Sequence, residues 1–143
     1  MDGEGAPGEV VIGAPGQYKW TISVYGKKAH GGLEPEKGIN AIMIAAKALA
    51  EVERYGRIDE ETTCNIGVVG GGVATNVVPD LVVIEGDVRS RNNEKLEAVR
   101  EELVSTICNA VEKFGGKFTV EVEHKYSSFL IDTNSTVIKL AER

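Results

Sequence analysis

Residues 63–90 of the chain, TCNIGVVGGGVATNVVPDLVVIEGDVRS, decide its predicted fold. The stretch begins with apolar and polar side chains in alternation, which is typical of a strand that is buried on one face only. The apolar members of that alternation, which are predicted to point inward, are Cys64, Ile66 and Val68. Three consecutive glycines at positions 70–72 follow, and a second strand is predicted over residues 77–89. Two strands joined by a glycine-rich turn predict an antiparallel hairpin.

A strand and a helix are predicted on each side of this hairpin. Residues 17–25 alternate like a strand, and residues 39–50 carry apolar side chains at helical spacing. After the hairpin, residues 93–114 show the same helical spacing, Gly115 ends the helix, and residues 117–126 predict the last strand. The order is that of the ferredoxin-like arrangement βαββαβ. The sequence therefore predicts an α+β fold with a four-stranded antiparallel sheet and both helices on one face.

The second strand is an edge of the predicted sheet, because the spatial order of this arrangement is fourth, first, third, second. Thr62, Thr63 and Asn65 leave that edge uncharged, so it is free to pair with a strand of another chain. We expect a homodimer through this second-strand edge, with the first helix packing beside it.

Composition limits the classes of function. The 143 residues, of which 42% are hydrophobic, suffice for one domain with a single core. A net charge of −6 argues against a nucleic-acid surface, which needs clustered cations. No apolar run approaches the roughly 20 residues of a membrane helix, so the cytoplasm is the expected location. Cys64 and Cys108 have no paired spacing and are expected to be reduced.

The two ends of the chain differ from the predicted domain. Residues 1–16 are rich in glycine and proline, which is typical of a connector. Residues 127–143 contain an apolar run and a helix-like start that nothing in the predicted domain covers. We therefore expect residues 17–126 to form a domain from within a larger protein, between a connector and a return connector with a truncated helix.

Three polar residues are predicted near strand ends. His30 lies in an Ala-His-Gly-Gly run, Asn76 in an Asn-Val-Val-Pro run and Arg89 in an Asp-Val-Arg-Ser run. Neither a nucleophile with an adjacent base nor a set of metal ligands accompanies them, because His124 is the one other histidine. The chain is expected to contribute to catalysis without performing it alone.

These runs together resemble the lid, or dimerisation, domain of the aminoacylase and carboxypeptidase-type zinc exopeptidases, the family that includes peptidase T and succinyl-diaminopimelate desuccinylase. The matching pieces are Asp2-Gly3 with Gly8, Gly26-Lys27-Lys28-Ala29-His30, Gly71-Gly72, Thr75-Asn76-Val77-Val78-Pro79 and Asp87-Val88-Arg89-Ser90. Residues 35–38 and 56–63 look most like the peptidase T-like, or tripeptidase, branch.

The resemblance implies a separate catalytic domain, joined through the two connectors, with two zinc ions, a bridging water and a glutamate general base. No ligand for those ions is in this chain. The residue matching His30 would donate a hydrogen bond to the scissile carbonyl as charge develops on its oxygen. Residues matching Asn76 and Arg89 would bind the substrate carbonyl or carboxylate. The expected function is a lid and dimerisation domain of an exopeptidase for small peptides, inactive alone.

The predicted topology separates these residues. Asn76 and Arg89 lie near opposite ends of the third strand, roughly 40 Å apart at about 3.3 Å per residue. His30 follows the first strand, which is antiparallel to the third, and therefore shares the Asn76 end. Both chain ends lie at the Arg89 end. We expect a mixed site, in which Arg89 serves its own catalytic domain while His30 and Asn76 cross into the partner's.

Other interpretations remain open for each residue. Arg89 could be a strand-end charge paired with Asp87 or Glu85, Asn76 could only shape a turn, and His30 could be an exposed loop residue. The whole chain could be a free-standing ferredoxin-like module that binds a small regulatory ligand or a protein at its sheet edge.

Overall fold

The computed structural model describes residues 9–141. Their elements are, in chain order, β1 Gly13–Ala14, β2 Gly16–Tyr25, β3 Ala29–His30, a 3₁₀ turn Pro35–Lys37, α1 Ala41–Ala50, β4 Gly56–Arg57, β5 Thr62–Gly71, β6 Val77–Val78, β7 Leu81–Ser90, α2 Asn93–Lys113, β8 Lys117–Tyr126, β9 Phe129–Leu130 and α3 Thr136–Ala141. Residues 1–8 of the predicted connector, with the Asp2-Gly3 and Gly8 pieces, and residues 142–143 of the predicted helix lie outside the described residues.

The main sheet has the order β4-β5-β7-β2-β8, and all its strand pairs are antiparallel. The α+β class and the relative order of the four long strands agree with the prediction. The count of four strands was wrong, because Gly56 and Arg57 pair with Cys64 and Thr63 to form a fifth. Gly56 has a φ of 76°, a left-handed conformation that lets the chain turn back beside β5. The ferredoxin-like label stays a prediction.

The added strand also corrects the description of the edge. β4 covers the start of β5, and Thr62 is fully buried, with its hydroxyl 2.9 Å from that of Ser90. Within β5, only the later part, residues 65–71, has an outer edge without a partner strand among the described residues.

Both long helices pack on one face of the main sheet. Asn40 and Asn92 cap them: Oδ1 of Asn40 accepts one backbone amide of the first turn, at 3.0 Å, and Oδ1 of Asn92 accepts two, at 2.9 and 3.0 Å. Apolar side chains then face the sheet at helical spacing. The buried members of the core include Trp20, Ile22, Val24, Ile44, Ala48, Val82, Ile84, Val88, Leu96, Leu103, Ile107 and Val111.

The side chain of Trp20 packs against β7 at Gly86, a position where only glycine fits. A Cβ atom on Gly86 would lie 2.2 Å from Cζ2 of the indole and 2.3 Å from the carbonyl oxygen of Asn65. Gly86 therefore admits the largest side chain of the core, which is 1% exposed.

A β-bulge at Gly67 reverses the alternation of β5. Ile66 lies opposite Gly86, Val68 opposite Glu85 and Val69 opposite Ile84. The extra residue turns every later side chain to the other face. The prediction that Val68 points inward was therefore wrong: Val68 lies on the open face, and Val69 shares the face of the helices.

The predicted third strand is broken in two. Pro79 has no N–H to donate to a neighbouring strand. Its carbonyl oxygen accepts from the amide of Ala41 at 2.8 Å, and the carbonyl oxygen of Asp80 accepts from the amide of Gly26 at 2.9 Å. The part before the break, β6, leaves the main sheet and pairs with β3. A small second sheet therefore forms beyond one end of the main one.

The segments before and after the main sheet lie side by side. β1 pairs with β9, and the amide of Ile131 donates to the carbonyl of Ile12 at 2.7 Å. Ile138 of α3 is 3% exposed. The expectation that nothing covers residues 127–143 was therefore wrong for Ile138, whereas the side chains of Phe129 and Leu130 are 52% and 81% exposed and the limits 17–126 stay a prediction.

Candidate functional site

His30 and Asn76 are neighbours in the small sheet. His30 pairs with Val77, and the amide of Gly31 donates to the carbonyl of Asn76 at 2.8 Å. A Cβ atom on Gly31 would lie 3.2 Å from both atoms of that carbonyl, so the two segments approach closely. The prediction that His30 shares the Asn76 end is confirmed.

The backbone after His30 sets the tautomer of its ring. Nδ1 accepts hydrogen bonds from the amides of Gly32 and Leu33, both at 3.2 Å. A ring nitrogen that accepts carries no proton, so in the neutral imidazole the proton lies on Nε2. His30 is exposed, and its Nε2–H is thus a donor available to another molecule.

Hydrogen bonds to the main fold hold the segment that carries His30. Lys27 and Ile39 exchange two backbone hydrogen bonds, at 2.8 and 2.9 Å. At the other side of the segment, a Cβ atom on Gly38 would lie 2.8 Å from Cγ1 of Val78. Because both ends are tied to the fold, the donor has a defined position relative to the sheet.

Arg89 lies at the opposite end of the main sheet, between Gln17 of β2 and Thr63 of β5. Eight residue steps of about 3.3 Å separate Leu81 from Arg89, or roughly 26 Å. The prediction that Arg89 lies far from the His30 end is therefore confirmed. The predicted distance between Asn76 and Arg89 was counted along one straight strand, so the break after β6 invalidates its value. β1 and β9 lie at the Arg89 end, because Gly16 pairs with Ser90.

The carboxylate of Asp87 joins Arg89 to Gln17. Its Oδ2 atom accepts from Nε of Arg89 at 2.9 Å and from Nε2 of Gln17 at 2.8 Å. The Arg89 side chain is 50% exposed, whereas Gln17 is 6% exposed. An ion pair with Asp87 was one of the open interpretations of Arg89. The hydrogen bond from Gln17 to Asp87 was not predicted, because only the register of β2 against β7 shows that the two residues are close.

The open face of the main sheet is a broad concavity of about 750 Å³ that contains this cluster. Cations and anions alternate across it, and Lys125 forms an ion pair with Glu123. The residues that line it include Gln17, Lys19, Glu85, Asp87, Arg89 and Glu123. Both signs of charge are therefore within reach of a ligand on this face.

Within residues 9–141, no three His, Cys, Asp or Glu side chains come together as a metal site would require. His124 pairs with Tyr18 near the Arg89 end, so the two histidines lie at opposite ends of the sheet. Cys64 and Cys108 are buried, and burial raises the pKa of the Cys108 thiol to about 11.

Residues 12–114 match the family described as the peptidase dimerisation domain. The chain belongs to this family. An uncharacterized protein of Bacillus subtilis, YqjE, is 41% identical to this dimerisation domain over 143 residues, which are the whole of this chain and 38% of that protein. A probable carboxypeptidase of Aspergillus niger is 35% identical over 139 residues, with 89% of this chain and 31% of that protein covered.

Solved structures of two peptidases are similar to this dimerisation domain. Aminopeptidase PepT from Bacillus cereus matches 98% of the chain with a TM-score of 0.84 and 42% identity. A tripeptidase from Staphylococcus aureus matches 94% with a TM-score of 0.83 and 39% identity. These findings confirm the resemblance to the peptidase T-like branch. The dimerisation domain spans 37% and 35% of those two chains.

Among the described residues, this dimerisation domain has no helix that is both long and apolar enough to cross a membrane.

Proposed function

We propose that this domain joins two copies of a metal-dependent exopeptidase for small peptides and supplies part of each active site. The observation that carries the proposal is the Nε2–H donor of His30, which is exposed, oriented by two backbone amides and remote from the paired segments β1 and β9. The names of the similar peptidases support the class of reaction, and catalysis itself belongs to a part of the protein outside this chain.

The free part of the β5 edge is the proposed dimer contact. Beside it, Ile42 and Met43 of α1 are 42% and 54% exposed, and Val69 is 54% exposed. A groove of about 260 Å³ lies between α1 and this edge, lined by Ile42, Ala45, Ala46, Leu49, Val69, Gly71 and Val82. A second copy would bury these apolar side chains while its own β5 satisfies the unpaired backbone groups.

In this dimer His30 and Asn76 act on the partner's substrate. The Nε2–H of His30 donates to the scissile carbonyl oxygen, where negative charge grows in the transition state, and Asn76 contacts the substrate carbonyl. Arg89, at the end where β1 and β9 lead away, binds a substrate carboxylate in its own subunit, because the guanidinium fork matches that group.

The expected metal is a pair of zinc ions, and residues 9–141 do not fit them. Its two histidines lie at opposite ends of the sheet, and its cysteines are buried. The zinc site is therefore proposed for the catalytic part of the complete protein, and no step is assigned to a metal here.

Substitution of His30 tests the proposed role. In the complete protein, His30→Ala is expected to lower kcat by about 10² to 10³, the usual effect of losing one such donor. His124→Ala is the matched control, since it removes the other histidine, which lies at the opposite end of the sheet. An equal loss in both variants would contradict a specific role of His30.

Subunit mixing tests whether His30 crosses to the partner. A His30→Ala subunit is mixed with a subunit whose metal site is disabled, each inactive alone. Crossing predicts that a 1:1 mixture regains about one quarter of wild-type activity, since half of the dimers are mixed and each has one complete site. Activity no higher than that of the parents would contradict it.

A further inference from the structure

The cluster around Arg89 contains a buried amide whose place in the fold calls for an explanation. Gln17 is 6% exposed, although it stands in the polar row of β2. A buried amide costs free energy unless it is hydrogen-bonded, and the carboxylate of Asp87 accepts from its Nε2 at 2.8 Å. Gln17 is thus bound to Asp87, and Asp87 in turn to Arg89.

The ion pair of this cluster contributes little to folding. The side chains of Arg89 and Asp87 are 50% and 24% exposed, and exposed pairs of this kind are weak because water screens them. The cluster nevertheless has a defined geometry, because both donors meet the same oxygen, Oδ2 of Asp87. These two hydrogen bonds therefore orient the side chain of Arg89 more than they stabilise the fold.

The geometry also selects the edge of the guanidinium that a ligand can use. Nε of Arg89 is occupied by Asp87, so the side of the fork formed by Nε and one Nη group is not available. Among the described residues neither Nη atom has a hydrogen-bond partner. The end of the fork, with its two Nη groups, therefore remains for a bidentate contact with a carboxylate.

We infer that Gln17 and Asp87 are positioning residues that hold Arg89 with its two Nη groups toward the carboxylate of a peptide substrate. Asp87 acts on Nε of Arg89, and Gln17 acts on Asp87, so neither touches the substrate. The inference rests on the proposed function, because it requires Arg89 to bind that carboxylate. It assigns the selection of substrates with a free carboxyl end to three residues in place of one.

The test uses the complete protein with an alanine tripeptide and the same tripeptide as its C-terminal amide. The quantity compared is the carboxylate preference, defined as the ratio of the two kcat/KM values. Gln17→Met keeps the length of the side chain and the charge of Asp87, and is expected to lower the preference about tenfold, through KM of the free acid. Glu123→Gln, which removes another carboxylate of the open face, is the matched control and is expected to leave the preference unchanged.

Asp87→Asn separates positioning from simple repulsion. If Asp87 only repelled the substrate carboxylate, its neutralisation would raise the carboxylate preference, whereas loss of positioning lowers it. Loss of positioning also predicts faster hydrogen exchange at Nε–H of Arg89, measured by ¹⁵N NMR, in Asp87→Asn and in Gln17→Met. This readout remains available if one of the two variants fails to fold.

Three results would overturn the inference in different ways. If Arg89→Ala leaves the carboxylate preference intact, the proposed role of Arg89 fails, and the positioning role fails with it. If Arg89→Ala abolishes the preference while Gln17→Met and Asp87→Asn keep it, the role of Arg89 stands and the positioning role alone is wrong. Equal losses on both substrates in Gln17→Met, with a lower Tm, would reduce Gln17 to a structural residue.

Discussion

Gly86 shows how one residue of the sheet sets the packing of the core. A methyl group there would lie 2.2 Å from the Trp20 indole and 2.3 Å from a backbone oxygen, and the backbone cannot move aside as a flexible side chain can. Gly86→Ala is therefore expected to lower the free energy of unfolding by about 2 kcal/mol or more, as overpacking does. Urea unfolding followed by Trp20 fluorescence measures it.

Gly67→Ala is the control for this substitution. Its Cβ would meet only the flexible amide of Asn65, at 3.4 Å, which is an ordinary contact. We expect a change below about 1 kcal/mol. Equal destabilisation by the two substitutions would contradict the packing described for Trp20.

The candidate site shows which residue-level features a sequence can predict. The shared location of His30 and Asn76 follows from strand order, because antiparallel neighbours bring known ends together. The contacts of His30 Nδ1 depend on loop dihedrals that no periodicity encodes. Asp87 and Arg89 are two residues apart in one strand and so share a face, which the sequence shows. The hydrogen bond of Gln17 to Asp87 depends on the exact register of β2 against β7, which the sequence does not show.

The turn between β4 and β5 provides a pH-dependent contact at the scale of elements. The pKa of Asp59 is lowered from 3.8 to about 2, first by the hydrogen bond from the Glu61 amide and further by Lys95 of α2. A lowered pKa means that the contact stabilises the fold above about pH 3.8 and is lost as the pH falls toward 2. We expect the stability difference between wild type and Asp59→Asn to shrink over that interval.

A ¹³C NMR titration of the Asp59 carboxyl group measures this directly. The expected midpoint lies near pH 2, and Lys95→Met, which removes one of the charges responsible, should raise it. A midpoint at the ordinary value of 3.8 in the wild type would mean that the turn does not hold Asp59 as described.

The bulge in β5 makes two adjacent valines a matched pair. Val68 and Val69 are 51% and 54% exposed, yet they lie on opposite faces of the sheet. Val69→Lys places a charge in the proposed contact beside α1 and is expected to weaken the dimer, by tenfold or more for about 1.4 kcal/mol lost. Val68→Lys, on the open face, is expected to leave it unchanged. Light scattering across a dilution series compares them, and the reverse order would contradict the bulge.

Two elements explain where prediction from the sequence failed. Cys64, Ile66 and Val68 alternate regularly in the sequence. Nothing in their pattern therefore marks the bulge, which turns the side chains after Ile66 to the other face of the sheet. A strand of two residues, such as β4, is too short to have a period. The break after β6 did have a signal, because Pro79 cannot donate to a sheet. The apolar residues on both sides of Pro79 nevertheless predicted one continuous strand.

At the scale of the whole molecule, the fold keeps the two groups of site residues apart. His30 and Asn76 lie in the small sheet beyond one end, and Arg89 lies at the other end beside β1 and β9. One copy therefore cannot bring all three residues to one small substrate, which is why we propose that a second copy supplies the residues of the other end. The proposed dimer is thus a requirement of the proposed active site.

Sedimentation equilibrium of this chain over a wide range of concentrations tests that requirement most directly. The free edge of β5 and the apolar side chains beside it predict a species of twice the 15.3 kDa mass of one chain, with Val69→Lys shifted toward the monomer. A wild-type chain that stays at 15.3 kDa even at the highest concentration would contradict the assignment of the dimer contact to this edge.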